Sequence, residues 1–426
     1  MRRLPVAGHL PYFLRDKLAF LDRCATINEP VIALDLGGPT LLLREPDDIR
    51  FALEEHPQLF HKSPRLMDER GQRLSGRGVL TSAGDRHRRL RDALAPLFTR
   101  PAISDFVPEM IETAQLVTNA WTDSERNIAD DIPFITKCII GRIVFDADYL
   151  NGDRDLADAF LRRKRYLQYR FDYPFFWSEW LPIGAQRRYR VAARFIERDL
   201  NRRLANSTPD RACLLNRLRE ASLNDAEILD EAITLAITGY ETLGDALIWA
   251  LLLLTQHAES RARVRQEARR FFESGDPSAD GLPALPYTSL VLLEALRLYP
   301  PTWLFIRMAL EGVQLPSGYR MRAGDKIYLS PWVVHRDPRF YEEPLTFRPE
   351  RFRPQAVANR PKLAYFPFGA GSRLCIGHHL AKMEGALLLA FLEHNYDFTL
   401  KSSFPEPVGR MTLRPKGAVR MRVERR

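Results

Sequence analysis

Apolar residues follow two different periods along the chain. Between about residues 85 and 300 they recur every three or four positions, the spacing of helices that bury one face. Elsewhere shorter apolar runs stand between glycine and proline turns and predict strands. The first two, IALDLGG and TLLLRE at 32–45, predict a hairpin. The pattern predicts a mainly α protein with a minor β region (α+β), without an alternating βαβ order.

Local signals refine this division. LPYTSLVLLEALRLYPP predicts a helix that ends at Pro300 and Pro301, and the helical region should break at YPFFW and NSTPD. Strands are expected in GVQLPSGYRM, DKIYLSPWVV, YDFTL and GAVRMRV. We expect a single domain over 1–426. It has a β-richer N-terminal part at about 1–60, a helical core at about 85–300, and strands with a cysteine loop at about 301–426.

One apolar window, residues 232–254, is long enough to suggest a membrane span. Glu241 and Asp245 lie in its middle, where carboxylates in lipid are costly, so we expect a helix inside the protein and no transmembrane segment. The basic start of the chain lacks the apolar run of a signal peptide. Four widely spaced cysteines fit neither a disulfide framework nor a zinc ribbon, which favours a reducing, cytoplasmic setting.

The chain of 426 residues is 45% hydrophobic and carries a formal net charge of +9. Arginine clusters at 85–91, 161–170 and 261–270 account for much of this charge. Nucleic-acid binding is one interpretation, but the arginines alternate with apolar residues at helical spacing. We therefore expect no nucleic-acid partner, and solvated helix faces or a docking surface for an acidic protein instead.

The stretch FPFGAGSRLCIGHHLA at 366–381 places Cys375 after a glycine-rich turn and before a helix. Glycine allows close approach of the main chain to another body, and a helix start favours a thiolate. A buried structural cysteine is the alternative. Because a glycine-rich turn and a helix start both surround this one sulfur, we favour a role for Cys375 as a ligand or a nucleophile.

Three other signals accompany this loop. Glu294 and Arg297 are three apart on a predicted helix and can pair, and Arg351 in PERF could join them. The third is TGYET at 238–242 in the long apolar helix. Together with the loop motif F-x-x-G-x-R-x-C-x-G and YPP at 299–301, these resemble the haem-thiolate monooxygenases of the cytochrome P-450 superfamily. The resemblance spans nearly the whole chain and implies a helical prism over a smaller sheet region. It places haem b between the long central helix and the cysteine loop.

The resemblance also assigns roles to individual residues. Cys375 becomes the iron ligand, whose thiolate favours O–O cleavage. Glu241 and Thr242 resemble the acid–alcohol pair that relays protons during oxygen activation, and Glu294, Arg297 and Arg351 become a structural network. His87 stands where the family usually has tryptophan, four residues before Arg91. The expected cofactor-binding residues are Cys375, Arg373, Arg307, His87, Arg91, Gly239 and Phe368.

The implied reaction inserts one oxygen atom from O2 into a hydrophobic small molecule by hydroxylation or epoxidation. We expect the protein to be a monomer. Residues 376–426 are too few for a flavin reductase domain, so we expect electrons to come from a ferredoxin or flavodoxin with its reductase. Family members receive electrons on the cysteine side. The basic residues expected there are Arg88, Arg89, Lys362 and Lys382.

Substrate contacts are expected near 72–82 and at 302–306, with the aromatic segment 165–180 either a channel lip or ordinary core. A terpenoid, carotenoid or fatty-acid-like substrate is favoured, and the motifs are similar to compact bacterial members that include carotene hydroxylases. A peroxide-driven peroxygenase or isomerase is one alternative, although such variants commonly lose the Glu-Thr pair. The other is a non-catalytic haem-binding sensor, which would not need that pair.

Overall fold

The computed structural model describes residues 4, 7–172, 184–206, 213–273 and 284–426. Helices dominate and the sheets are small, which confirms the predicted mainly α fold with a minor β region. The helices are α1 Leu10–Arg15, α2 Lys17–Ala25, α3 Pro46–Arg50, α4 Pro64–Met67, α5 Glu69–Ser75, α6 Gly84–Leu94, α7 Arg100–Ser104, α8 Val107–Thr118, α9 Ile128–Phe145, α10 Arg154–Asp172, α11 Gly184–Ala205, α12 Leu214–Glu220, α13 Asp225–Gly239, α14 Glu241–Gln256, α15 Ala258–Glu273, α16 Pro286–Leu298, α17 Pro331–Val334, α18 Pro354–Ala358 and α19 His378–Asn395.

The largest sheet has the strand order β1-β2-β8-β5-β3, with β2 and β8 parallel and the other pairs antiparallel. A second sheet joins distant parts of the chain in the order β4-β12-β9, and two two-stranded sheets complete the set. The strands are β1 Val31–Asp35, β2 Pro39–Leu43, β3 Phe60–Lys62, β4 Ser124–Asn127, β5 Phe305–Ala309, β6 Val313–Gln314, β7 Arg320–Met321, β8 Lys326–Leu329, β9 Tyr396–Leu400, β10 Pro407–Gly409, β11 Leu413–Pro415 and β12 Arg420–Arg425.

The predicted hairpin is present as β1 and β2. Its turn needs backbone angles that only glycine adopts readily, with φ of 74° at Gly37 and 129° at Gly38. Apolar side chains on the buried face, including Leu41 and Leu43, pack under the five-stranded sheet. This packing explains why a strand as apolar as PTLLL is stable beside β8.

The central helices α13 and α14 form the middle of the helical core. Asn224 and Glu227 start α13 with a reciprocal capping box, which satisfies backbone donors at the helix start. Together α13 and α14 (225–256) are long and apolar enough to cross a membrane, but 83% of the most apolar stretch is buried inside the protein. That burial is what a core helix requires.

Small residues let neighbouring helices approach α14. A Cβ on Gly244 would lie 3.0 Å from the Pro133 backbone of α9, and a Cβ on Gly385 of α19 would lie 3.1 Å from Leu243 of α14. The central helix is therefore closely packed on more than one side.

Some details differ from the expected pattern. The predicted long central helix is present over Asp225–Gln256, with one irregular residue at Tyr240, next to Gly239, a weak helix former. PWVV was expected to continue a strand and is the helix α17, because Pro331 at the first helical position ends the strand pairing. The N-terminal part about 1–60 begins with two helices, α1 and α2, before its strands. The expected break at YPFFW and most of NSTPD lie outside the described residues.

Candidate active site

The cysteine loop owes its shape to two glycines. Gly369 and Gly371 have φ of 72° and 64°, and a Cβ on Gly371 would come within 1.9 Å of the Leu53 carbonyl oxygen. No other residue fits there without moving the backbone. The Cys375 amide donates to the Phe368 carbonyl at 2.9 Å and closes the loop just before α19.

Cys375 keeps accessible surface although protein surrounds it, which indicates that its sulfur lines an internal cavity. Burial is the largest influence on its thiol and raises its pKa. The Gly377 amide donates to the sulfur, and the positive charges of Arg91 and Lys62 also favour the thiolate. A positively charged iron would complete this stabilisation, since coordinating thiols are deprotonated by a bound metal.

The junction of α13 and α14 contributes another wall. Thr238 is exposed, and Gly239 and Thr242 are half-buried, although the residues around them on the helices are almost all buried. Accessible side chains in the middle of a core helix indicate an internal cavity. The Thr242 hydroxyl donates to the Thr238 carbonyl at 3.0 Å. A Cβ on Gly239 would meet Ile140 of α9, so the missing side chain there lets two helices pack.

Phe368 connects the cysteine loop to the central helix. Its ring packs against a small buried cluster of Ala246, Leu292 and Leu296 from α14 and α16. The loop and α14 therefore lie close together.

Glu241 and Thr242 have different surroundings. Glu241 is buried and pairs with Lys164 of α10 at 2.6 Å and, at 3.6 Å, with Arg414 of β11. Asp245, one turn further along α14, is fully buried, with the Thr412 hydroxyl beside its carboxyl group. Burial, followed by the Glu241 charge, raises the pKa of Asp245 to about 7. The sequence pattern did not predict that Lys164 and Arg414 pair with Glu241, or that the charge of Glu241 acts on a buried Asp245.

A cluster of cations surrounds the cavity near the cysteine. Burial lowers the pKa of Lys62 well below its ordinary value, and the charges of Arg373, Arg307 and Arg91 lower it further. Burial likewise lowers the pKa of Arg307 and of Arg373 to about 10. Across the described ranges, none of Lys62, Arg307 and Arg373 forms an ion pair with a carboxylate. Cations that repel one another in a buried site require an anionic partner.

Lys62 belongs to this group, and the sequence analysis missed it. It lies on β3 directly opposite Arg307 of β5, so sheet register brings the two cations together. The available signal was weak, because a three-residue strand gives almost no periodicity. His87 is also buried there, and burial with the charges of Arg373 and Lys62 lowers its pKa to about 3. His87 is therefore a neutral imidazole at neutral pH.

Backbone carbonyls hold these cations in place. Lys62 donates to the Leu80 carbonyl at 2.6 Å, and Arg91 donates to the Leu374 carbonyl at 2.5 Å. Arg307 donates to the carbonyl of its own neighbour Ile306 at 3.0 Å. These contacts position the side chains but leave their positive charges uncompensated.

The residues present fit a haem group. Its two carboxylates match the uncompensated cations, and its iron matches a sulfur that lines the same cavity. The individual roles of Arg373, Arg307, Arg91, His87, Gly239 and Phe368 towards haem stay predictions.

The structure brings Glu294, Arg297 and Arg351 together. Arg297 donates two hydrogen bonds, of 2.7 and 2.8 Å, to the Glu294 carboxylate, and the Arg351 guanidinium lies 3.5 Å from the same carboxylate. Arg297 also donates to the carbonyls of His335 and Pro344. All three charged side chains are buried, and their contacts tie α16 to the irregular stretch before the cysteine loop.

The four cations expected at the docking surface differ in their exposure and in the carboxylates that pair with them. Arg89 pairs with the buried Glu227 of α13, and Lys362 pairs with Glu54 at 2.9 Å. Arg88 is 75% exposed and has only the exposed Asp85 near it, at 3.4 Å. Lys382 lies 5.5 Å from the centre of the Phe368 ring. Arg88 and Lys382 are therefore the more available members of the set.

The segments expected at the substrate are partly described. Segment 302–306 leads into β5, and apart from the buried Trp303 its side chains are half-buried. Of segment 165–180, residues 173–180 lie outside the described residues. Tyr166 is buried and stacks on Tyr189 with ring centres 4.8 Å apart, which is ordinary core packing.

Comparison with known proteins gives consistent results. The family model described as Cytochrome P450 matches residues 1–419. Cyclooctatin synthase from Streptomyces melanosporofaciens is 30% identical over 403 residues, which cover 91% of this chain and 86% of the relative. Cyclooctat-9-en-7-ol 5-monooxygenase from the same organism is 30% identical over 412 residues, with the same coverage of 91% and 86%. Pentalenene oxygenase from Streptomyces avermitilis is 27% identical over 444 residues, covering 99% of this chain and 96% of the relative.

Solved structures agree on the fold. The crystal structure of the cytochrome P450DA heme domain has a TM-score of 0.88 and 23% sequence identity, and the match covers 100% of this chain and 97% of that chain.

Proposed function

This chain belongs to the cytochrome P450 family and is a haem-containing monooxygenase, and we propose that its substrate is a cyclic terpenoid. The observation that carries the substrate proposal is the pair of relatives named for terpenoid oxidation, cyclooctat-9-en-7-ol 5-monooxygenase and pentalenene oxygenase. Four apolar side chains support it, since Val79 and Leu80 of segment 76–82 and Leu304 and Ile306 of segment 302–306 offer no polar groups to a ligand.

The residues of the chain would hold the cofactor in two ways. Lys62, Arg307, Arg373 and Arg91, with the neutral His87, would bind its carboxylates. Cys375 would bind its iron, with the Gly377 amide moderating the charge on the sulfur. Bound haem supplies oxygen activation, because a thiolate ligand donates electron density that favours O–O cleavage.

Proton delivery is assigned to Glu241 and Thr242. Lys164 and Arg414 pair with the Glu241 carboxylate, which adjoins Thr242 in the chain, and both cations retain some exposure. We infer that Glu241 takes up a proton there and passes it towards the Thr242 Oγ1, which faces the cavity. Replacing Thr242 by alanine should preserve haem and substrate binding but divert reducing equivalents to peroxide. Unchanged product formed per NAD(P)H consumed would exclude the pair from the mechanism.

Electrons would come from a separate ferredoxin or flavodoxin in the cytoplasm. The exposed Arg88 and Lys382 support docking of an acidic protein, whereas Arg89 and Lys362 have carboxylate partners within the chain.

The substrate proposal is tested by binding and turnover. Cyclic terpenes and fatty acids of equal carbon number are titrated into the purified haem protein, and the shift of the Soret band reports displacement of water from iron. We expect saturable shifts with cyclic terpenes and hydroxylated products when ferredoxin, its reductase and NADPH are added. Tight binding of fatty acids without any response to terpenes would overturn the proposal.

A further inference from the structure

Segment 76–82, between α5 and α6, is fixed to the central helix by unusual contacts. The Val79 amide donates to the Glu231 Oε1 at 2.7 Å, and this bond is buried. The Arg77 amide donates to the Asp230 Oδ1 at 3.0 Å in a more exposed position. Two adjacent carboxylates of α13 therefore hold alternate amides of one loop.

The carbonyls of the same segment face the cations of the active site. Leu80 accepts from Lys62 at 2.6 Å, and Val79 accepts from Arg373 at 3.5 Å. The segment thus bridges α13 and the cations that would bind the haem carboxylates. Moving it would move a wall of the substrate site.

The packing leaves no room between this segment and α13. A Cβ on Gly78 would lie 2.7 Å from both the Glu231 Oε2 and the Thr234 Oγ1, and a Cβ on Gly76, where φ is 85°, would lie 2.9 Å from the Asp230 carbonyl. These glycines permit the approach, and the Glu231 carboxylate maintains it.

We propose that Glu231 is a positioning residue that fixes segment 76–82 against α13 and thereby sets the size and affinity of the ligands that the active site accepts. The inference rests on the proposed function, in which this segment contacts the substrate. Glu231 itself contacts neither substrate nor cofactor in this account. It acts through the Val79 amide.

The environment of Glu231 makes the strength of its hydrogen bond with the Val79 amide depend on whether Glu231 is ionised. Its side chain is fully buried, and its Oε2 has no hydrogen-bond partner in the described structure. Burial raises its pKa to about 7, against the lowering effect of the Val79 amide. The other charges that act on it are Asp230 and Glu227 of α13 and Arg86 of α6. An ionised Glu231 binds the amide more strongly than a protonated one.

The test compares two ligands of haem iron in the holoenzyme. We expect imidazole to bind the iron without reaching the segment, whereas a bulky aryl azole should contact it. In Glu231→Gln we expect wild-type imidazole affinity and about five- to tenfold weaker aryl-azole affinity, as expected for loss of a charge-assisted hydrogen bond. Glu393→Gln is the matched control, because Glu393 is equally buried but bonds Arg261 and Arg265. It should leave both affinities unchanged.

A purely structural role would not produce the expected pH dependence. Wild-type affinity for the aryl azole, relative to imidazole, should rise from pH 6 to pH 8 as Glu231 ionises. With both affinities corrected for protonation of the free azoles, this ratio should be flat in Glu231→Gln. Equal loss of affinity for both azoles, or the same pH dependence in the variant, would overturn the proposal.

A second variant covers the case in which Glu231→Gln does not retain haem. Gly78→Ala keeps the carboxylate but pushes the segment away from it, and it should weaken the aryl azole selectively. Unchanged selectivity there would also overturn the proposal. If the azole effects hold but no cyclic terpene shifts the spectrum, the positioning role stands and only the substrate assignment is lost.

Discussion

Two clusters of buried charge in this protein are built in opposite ways. In the cluster of Glu294, Arg297 and Arg351, a carboxylate sits between two guanidiniums, and neighbouring carbonyls accept from terminal nitrogens of both arginines. In the cluster of Lys62, Arg307 and Arg373, cations face one another without a carboxylate partner among the described residues. The first is complete within the chain, and the second is complete only with an added anion. The comparison separates charges that the chain pairs by itself from charges that would need a bound anion.

Breaking the complete cluster should have the largest effect. Arg297→Ala leaves Arg351 as the one guanidinium beside the buried Glu294 in this cluster and removes a donor from three carbonyls, so we expect about 3–5 kcal/mol lower free energy of unfolding. Denaturant titration followed by circular dichroism measures this loss. Arg263→Ala is the control, because its ion pair with Glu350 is equally short at 2.6 Å but about one-third exposed. A loss no larger than in this control would mean that the cluster does not stabilise the fold.

The pair of Glu241 and Asp245 tests an intermediate case, in which two carboxyls share two cations. The folded-state pKa of Asp245 is raised to about 7, so the folded protein holds a proton that the unfolded chain releases near pH 4. The resulting stability is present below pH 4 and is lost as pH rises through about 7. Asp245→Asn should therefore gain on the order of 2 kcal/mol over wild type at pH 8 and little at pH 4. Parallel curves of unfolding free energy against pH for the two proteins would contradict this.

Removing a positive charge from the cluster of Lys62, Arg307 and Arg373 should not destabilise the apoprotein, but it should weaken haem retention by the holoprotein. Lys62→Met relieves repulsion from Arg307 and Arg373, so the apoprotein should be as stable as wild type or slightly more stable. The holoprotein should lose haem about tenfold faster to an excess of an apo haem-binding acceptor, because one charged contact to a carboxylate is lost. The transfer is followed by absorbance at the Soret band. Lower stability of the apoprotein would show that Lys62 is already compensated.

The sequence anticipated the complete cluster better than the incomplete one, and the reason is physical. Glu294 and Arg297 are one helical turn apart, so local spacing alone predicts their pairing. Lys62 and Arg307 meet through the pairing of two short strands that are distant in the chain. The partners of Glu241 were unpredictable for the same reason, since Lys164 and Arg414 come from separate elements.

Local chemistry was equally informative in the cysteine loop. The positive φ of Gly369 and Gly371 follows from the residue type, and the thiol precedes a helix as expected. The irregular residue at Tyr240 in the central helix and the helix at PWVV were not anticipated. Hydrophobic periodicity shows which positions are buried, but it does not show where one residue interrupts the backbone hydrogen bonds.

The smallest expected effect concerns charges that belong to neither cluster. Arg88 and Arg89 are adjacent on α6, but Arg89 is committed to the buried Glu227 and Arg88 is largely exposed. Arg88→Glu should slow reduction by a ferredoxin a few-fold at low salt, and the difference from wild type should disappear as salt rises, because exposed charges are screened beyond about 8 Å at ~0.15 M ionic strength. Stopped-flow reduction under carbon monoxide measures the rate, and peroxide-driven turnover, which bypasses docking, should not change. Arg89→Glu should instead lower the stability of the protein, because it places a second carboxylate against Glu227. If Arg88→Glu accepts electrons at the wild-type rate with the wild-type salt dependence, this part of α6 is a solvated surface and the donor docks elsewhere.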